Sequence, residues 1–81
     1  MDAAEIEAQR GAIYGTPIAN HERIASAMSD YLGIEILPSD AAMLMVLVKE
    51  SRLMQTPDHA DSLADRDIYL DFVRRFRAIG R

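Results

Sequence analysis

Eight apolar residues in a row, Ala41 to Val48, run straight into the only lysine of the chain, Lys49. No segment alternates apolar and polar residues in the two-residue rhythm of a half-buried strand. The run therefore reads as a helix that is apolar all round for two turns, and such a helix needs cover on every side. Three short partner helices can hardly provide it, so an antiparallel helical dimer or larger homo-oligomer is expected. Charge at the end of the run is the second constraint. Arg52 follows Lys49, and Pro57-Asp58-His59-Ala60-Asp61-Ser62 leads on to Asp65. A charge beside buried surface is costly unless something pairs with it. The candidates are the downstream carboxylates, a phosphate ligand or a neighbouring subunit.

Four glycines and three prolines punctuate the rest. A short first helix is expected over about Ala3 to Arg10, stopped by Gly11 and Gly15. Thr16-Pro17 is a helix start, with threonine as N-cap and proline in the first turn. The second helix then runs from Pro17 to Leu32, with Ile24, Ala25, Met28 and Leu32 at helical spacing and Gly33 as its stop. Ile34 to Pro38 reads as an extended connector. Ser39 or Asp40 is expected to cap the third helix, about Ala41 to Gln55, which Thr56-Pro57 breaks. Asp61 or Ser62 opens the last helix, which carries Tyr69, Phe72, Val73 and Phe76 on one stripe and ends at Gly80. The expected fold is all-α: one domain over residues 1–81, a small bundle of three main helices plus the short N-terminal one, assembled as a homo-oligomer.

A chain of 81 residues buries only roughly 60–65% of its unfolded surface. Yet 49% of its residues are apolar, a surplus that points to burial between subunits. There is no cysteine, hence no disulfide and no cysteine-based zinc site. No stretch reaches the length of a membrane span, and the acidic start Met1-Asp2-Ala3-Ala4-Glu5 is unlike a signal or transit peptide. The expected location is cytosolic, including the cytoplasm of an infected host, with no membrane partner. The net charge of −4 argues against general nucleic-acid binding. The basic stretch Arg74-Arg75-Phe76-Arg77 suits the solvated last turn of a helix, where cations meet the negative end of the dipole.

Several groupings carry chemical potential. Lys49 and Arg52, three apart, are neighbours on a helix surface. They read either as a phosphate clamp, point charge plus fork, or as side chains snorkelling from the end of a core helix. Asp61 and Asp65 are one helical turn apart. They can hold Mg²⁺, or they can cap the helix, since Ser62-Leu63-Ala64-Asp65 resembles a capping box. His59 sits in the turn before them, within reach of a base or a phosphate if it is more than a solvated loop residue. His21, on the second helix, has no partner in sequence and reads as structural or exposed. Arg10, Tyr14 and Asn20 surround the first turn, where Tyr14 offers either a stacking face or a core aromatic. There is no glycine-rich phosphate loop, no HExxH and no convincing Ser-His-Asp order. The Glu-x-x-Glu pair of all-α pyrophosphohydrolases is missing too, because Ala8, Arg10, Ala25, Pro38 and Leu53 stand three residues after Glu5, Glu7, Glu22, Glu35 and Glu50.

Taken in order, Arg10-Gly11-x-x-Tyr14-Gly15, Asn20-x-x-Arg23-Ile24-Ala25, Tyr31-Leu32-Gly33-x-x-Ile36, Asp40, Lys49-x-x-Arg52-Leu53, Pro57-Asp58-His59-x-Asp61-Ser62 and Asp65-x-x-x-Tyr69 form a recognisable series. It resembles a small helical family common in phages and named for an association with nucleotide modification. The glycine usual before the final tyrosine of that family is Ile68 here. The resemblance implies a phage source and a nucleotide connection. By analogy with small phage proteins that sequester cyclic nucleotide signals of bacterial defence, it implies an oligomeric sponge. The expected function is binding, without catalysis, of a phosphate-bearing nucleotide such as a cyclic oligonucleotide immune signal. Arg10, Tyr14, Asn20, Lys49, Arg52, His59, Asp61 and Asp65 would form the site, with no cofactor and no metal. The enzyme alternative is a Mg²⁺-dependent pyrophosphohydrolase using Asp61, Asp65 and Glu50. The third is a structural or interaction protein whose charges merely cap and pair.

Overall fold

The structure is a computed structural model that describes Asp2, Ala4, Glu5, Ala8, Gln9 and residues 15–81. It contains α1 (Pro17–Leu32), α2 (Pro38–Gln55) and α3 (Ala60–Ala78), with no strand among the described residues. Within the expected first helix, Ala4, Glu5, Ala8 and Gln9 are helical, and the Asp2 carboxylate accepts from the Glu5 amide at 2.8 Å. The rest of that expectation, with Arg10 and Tyr14, lies outside the described residues.

Local chemistry sets both ends of α1. The Thr16 hydroxyl oxygen accepts from the Ala19 amide at 3.1 Å, satisfying one of the free donors of the first turn. Gly33, at φ 71°, lets the chain turn left-handed, so its amide donates to Ser29 O at 2.9 Å and ends the helix. Ser29 then ties down the connector, its hydroxyl accepting from the Ile36 amide at 2.8 Å.

The start of α2 differs from expectation. Pro38 is its first residue and Leu37 its N-cap, so neither Ser39 nor Asp40 occupies the cap position. Proline fits there because the first-turn amide it lacks would have no helical partner. Asp40 still serves the helix end, its carboxylate accepting from the Leu37 amide at 3.0 Å. Ser39 instead reaches across the molecule, and its hydroxyl donates to the main-chain oxygen of Arg81 at 3.1 Å. The helix thus begins three residues before Ala41, because Asp40 reaches back to the start while Ser39 turns inward.

α2 and α3 form an antiparallel hairpin, and α1 packs against both through the α2 side chains and the aromatic stripe of α3. The core gathers Ala42, Ile68, Phe72, Val73 and Phe76, with Met43 and Tyr69 against it. This is the α3 stripe the sequence predicts, joined by Ile68 next to Tyr69. α3 closes at Ala78, with left-handed Gly80 (φ 75°) behind it and the Arg81 amide donating to Phe76 O at 2.8 Å. The buried positions of α2 are Ser39, Ala41, Ala42, Val46, Lys49 and Leu53. Its opposite face leaves Leu44, Leu47, Val48 and Met54 exposed.

Candidate functional site at the hairpin turn

Lys49 lies in the seam between α2 and α3 because it continues the buried spacing of Ala42, Val46 and Leu53. Across the seam, Asp65 stands one turn into α3. Lys49 Nζ is 3.2 Å from Asp65 Oδ2, and the two side chains are only 10% and 22% exposed. Next to them Arg66 Nη1 donates to Glu50 Oε1 at 3.0 Å in a more open position. Of the partners the sequence left open for Lys49, the structure provides the downstream carboxylate. Arg52, on the next turn of α2, is exposed.

The α3 start is built by His59, which is the N-cap in place of the expected Asp61 or Ser62. Its Nδ1 accepts from the Ser62 hydroxyl at 2.8 Å and the Ser62 amide at 3.3 Å. That arrangement assigns the ring proton to Nε2. The capping box expected between Ser62 and Asp65 does not form: Ser62 is buried and bonded to His59, and Asp65 turns to Lys49. Asp61, in the first turn, is exposed and suits the positive helix end.

Lys49, Arg52, His59, Asp61 and Asp65 are therefore collected at the turn end of the hairpin. Asn20 is not among them. It is half-buried near the start of α1, whose next residue packs against the other end of α3. Of the three carboxylates of the hydrolase alternative, Asp65 faces Lys49, Glu50 faces Arg66 and Asp61 is exposed. Among the described residues, no three His, Asp or Glu side chains converge as a metal site.

Of the two readings the sequence left for His21, structural or exposed, the structure shows the first. His21 is 2% exposed, with its ring 5.1 Å from that of Phe72, 5.4 Å from Phe76 and 5.9 Å from Tyr69. Nδ1 donates to Pro17 O at 2.8 Å, while buried Nε2 has no partner among the described residues. Burial pushes the imidazole below its ordinary proton affinity, and the bond to Pro17 opposes this without reversing it. The signal was present: His21, Ile24, Ala25 and Met28 share one helical face. Beside this cluster Pro17, Ile18, Phe72, Phe76 and Ile79 line an apolar groove of about 340 Å³, away from the turn.

Over residues 1–77 the sequence matches the family described as a domain of unknown function, DUF6378. The chain belongs to DUF6378. It is similar to the Gene 55 protein of Mycobacterium phage L5, 41% identical over 61 residues that make up 74% of this chain and 39% of that protein. It is also similar to the Gene 55 protein of Mycobacterium phage D29, 40% identical over 70 residues, or 86% of this chain and 46% of that protein. This DUF6378 chain thus spans less than half the length of the curated relatives it matches. No solved structure matches it. The phage connection implied by the sequence resemblance holds, and DUF6378 membership brings no assigned ligand or reaction with it. No helix among the described residues is long and apolar enough to cross a membrane.

Proposed function

We propose that the chain is a phage binding protein that takes up a phosphate-bearing nucleotide at the turn end of the α2–α3 hairpin and does not hydrolyse it. One observation carries this reading: the only lysine is held nearly buried against Asp65, beside exposed Arg52 and His59. A buried ion pair adds little stability over well-packed apolar residues, so its retention fits a role beyond packing. A phosphate would compete with Asp65 for Lys49, with Arg52 as the second cation and the outward part of His59 toward base or ribose. Among the described residues, acids outnumber cations at this end, with Glu50, Asp58, Asp61, Asp65 and Asp67 against Lys49, Arg52 and Arg66. That balance favours a ligand that also brings hydrogen-bond donors, a nucleoside phosphate rather than inorganic phosphate. A cyclic oligonucleotide signal, sequestered by an oligomer in the infected cell, fits these requirements. The absence of three converging carboxylates among the described residues favours binding over metal-assisted hydrolysis.

Titration calorimetry with linear and cyclic nucleotides, with and without Mg²⁺, tests it. Arg52→Ala and His59→Asn alter exposed side chains, and asparagine keeps a good N-cap. Each is expected to weaken binding about tenfold, the equivalent of 1.4 kcal/mol, with helicity unchanged. Wild-type affinity in both variants rejects the site, and product formation rejects the non-catalytic reading. The exposed apolar face of α2 favours a second reading, an interaction protein whose turn charges serve only the fold.

A further inference from the structure

Along the N-cap and outward face of α2, Leu37, Asp40, Leu44, Leu47, Ser51 and Met54 recur at alternating intervals of three and four residues. This is the spacing of a coiled-coil seam. All six are exposed, Leu44 by 38%, Leu47 by 56% and Met54 by 85%. The core-facing row Ala42, Val46, Lys49 and Leu53 lies on the other side of the same helix. α2 therefore carries two seams, one packed in the interior and one that no described residue covers.

The open seam is complementary to itself in one direction only. Antiparallel to a second α2, with Leu44 opposite Leu47, it sets Leu37 opposite Met54 and Asp40 opposite Ser51. The four apolar positions then meet apolar positions, and its two polar residues meet each other. Asp40 Oδ2 holds the Leu37 amide at 3.0 Å, and a carboxylate has further lone pairs for the Ser51 hydroxyl. A parallel arrangement opposes Asp40 to Asp40, like charges that repel. Antiparallel packing also brings opposite ends of the two helix dipoles together. We infer that the open face of α2 is an isologous interface, occupied by α2 of a second copy in antiparallel register with Asp40 facing Ser51. The pairing does not depend on a nucleotide.

Sedimentation equilibrium of the full chain and cysteine cross-linking test the interface together. The wild type is expected to be a dimer, and Leu44→Glu with Leu47→Glu to raise its dissociation constant at least tenfold while circular dichroism stays helical. The chain has no cysteine of its own, so the register can be read directly. Mixed Asp40→Cys and Ser51→Cys chains should cross-link on oxidation, whereas Asp40→Cys alone should not. A monomeric wild type up to millimolar concentration overturns the inference. So does a dimer that ignores the Leu44 and Leu47 changes, or self-cross-linking of Asp40→Cys. Should the glutamate variant lose its helix signal, the cross-linking pattern in the otherwise native seam decides alone.

Discussion

His21 and Lys49 are two polar side chains in the interior of one small bundle, 2% and 8% exposed, and each is accommodated differently. His21 is walled by three aromatic rings and, among the described residues, holds a single bond, to Pro17 O. It can enter such a site because imidazole can be neutral near pH 7. Lys49 lies between α2 and α3 with a carboxylate 3.2 Å from its ammonium. Ammonium paired with carboxylate tolerates the interior because each offsets the lost hydration of the other. The contrast teaches that the α1 contact rests on a group whose burial favours the uncharged form, and the turn end of the hairpin on an ion pair.

The strongest challenge to this contrast is Asp65→Ala, which takes from nearly buried Lys49 the carboxylate 3.2 Å away. A loss of about 3 kcal/mol is expected in urea denaturation. Lys49→Met combined with Asp65→Leu should restore most of it, and a single-variant loss below about 1 kcal/mol would place the pair with exposed ion pairs. Next comes His21→Ala, which opens space among Tyr69, Phe72 and Phe76 at about 2 kcal/mol. His21 also sets an acid limit. The unfolded chain takes up its proton near the ordinary value of 6.5, before the folded chain does. Stability is therefore full above that pH and declines as pH falls below it. Comparing wild type with His21→Phe between pH 7.5 and 5 reads this directly: the phenylalanine variant should show a shallower decline, and parallel curves would remove His21 from the account. The smallest effect belongs to Glu50→Gln. Its partner Arg66 is 30% exposed and Glu50 itself 46%, so about 0.5 kcal/mol or less is expected. The gap between Asp65 and Glu50 would show that burial decides the worth of an ion pair here.

The parts legible in the sequence are those written in short-range chemistry. Thr16-Pro17 and Gly33 bound α1 as the sequence indicates, because a hydroxyl cap and a left-handed glycine act within one turn. The Phe72, Val73 and Phe76 stripe is legible for the same reason. The starts of α2 and α3 were less so. Ser39 has the chemistry of a cap but binds Arg81, forty-two residues away, and His59 caps through a ring nitrogen rather than the usual oxygen. At the site, the sequence brought Lys49 to the His59–Asp65 turn and allowed for neutralisation by a carboxylate, but the choice of Asp65 over Asp61 needed the helix crossing. His21 lies on the same face of α1 as Ile24, Ala25 and Met28, yet no pattern within α1 reveals that three aromatic rings of α3 await it.

Two connections hold the α2–α3 hairpin at its ends, and they differ in reach. The turn from Thr56 to His59 joins neighbours in sequence, whereas Ser39 and Arg81 meet across nearly the whole length of both helices. The short closure confines little chain and can form first, and the long one can be completed only when both helices are in register. Ser39 is therefore a gauge of completed zippering. Its amide, donating to Arg81 O at 3.3 Å, will exchange with deuterium whenever the far end of the hairpin parts, even while the turn stays closed.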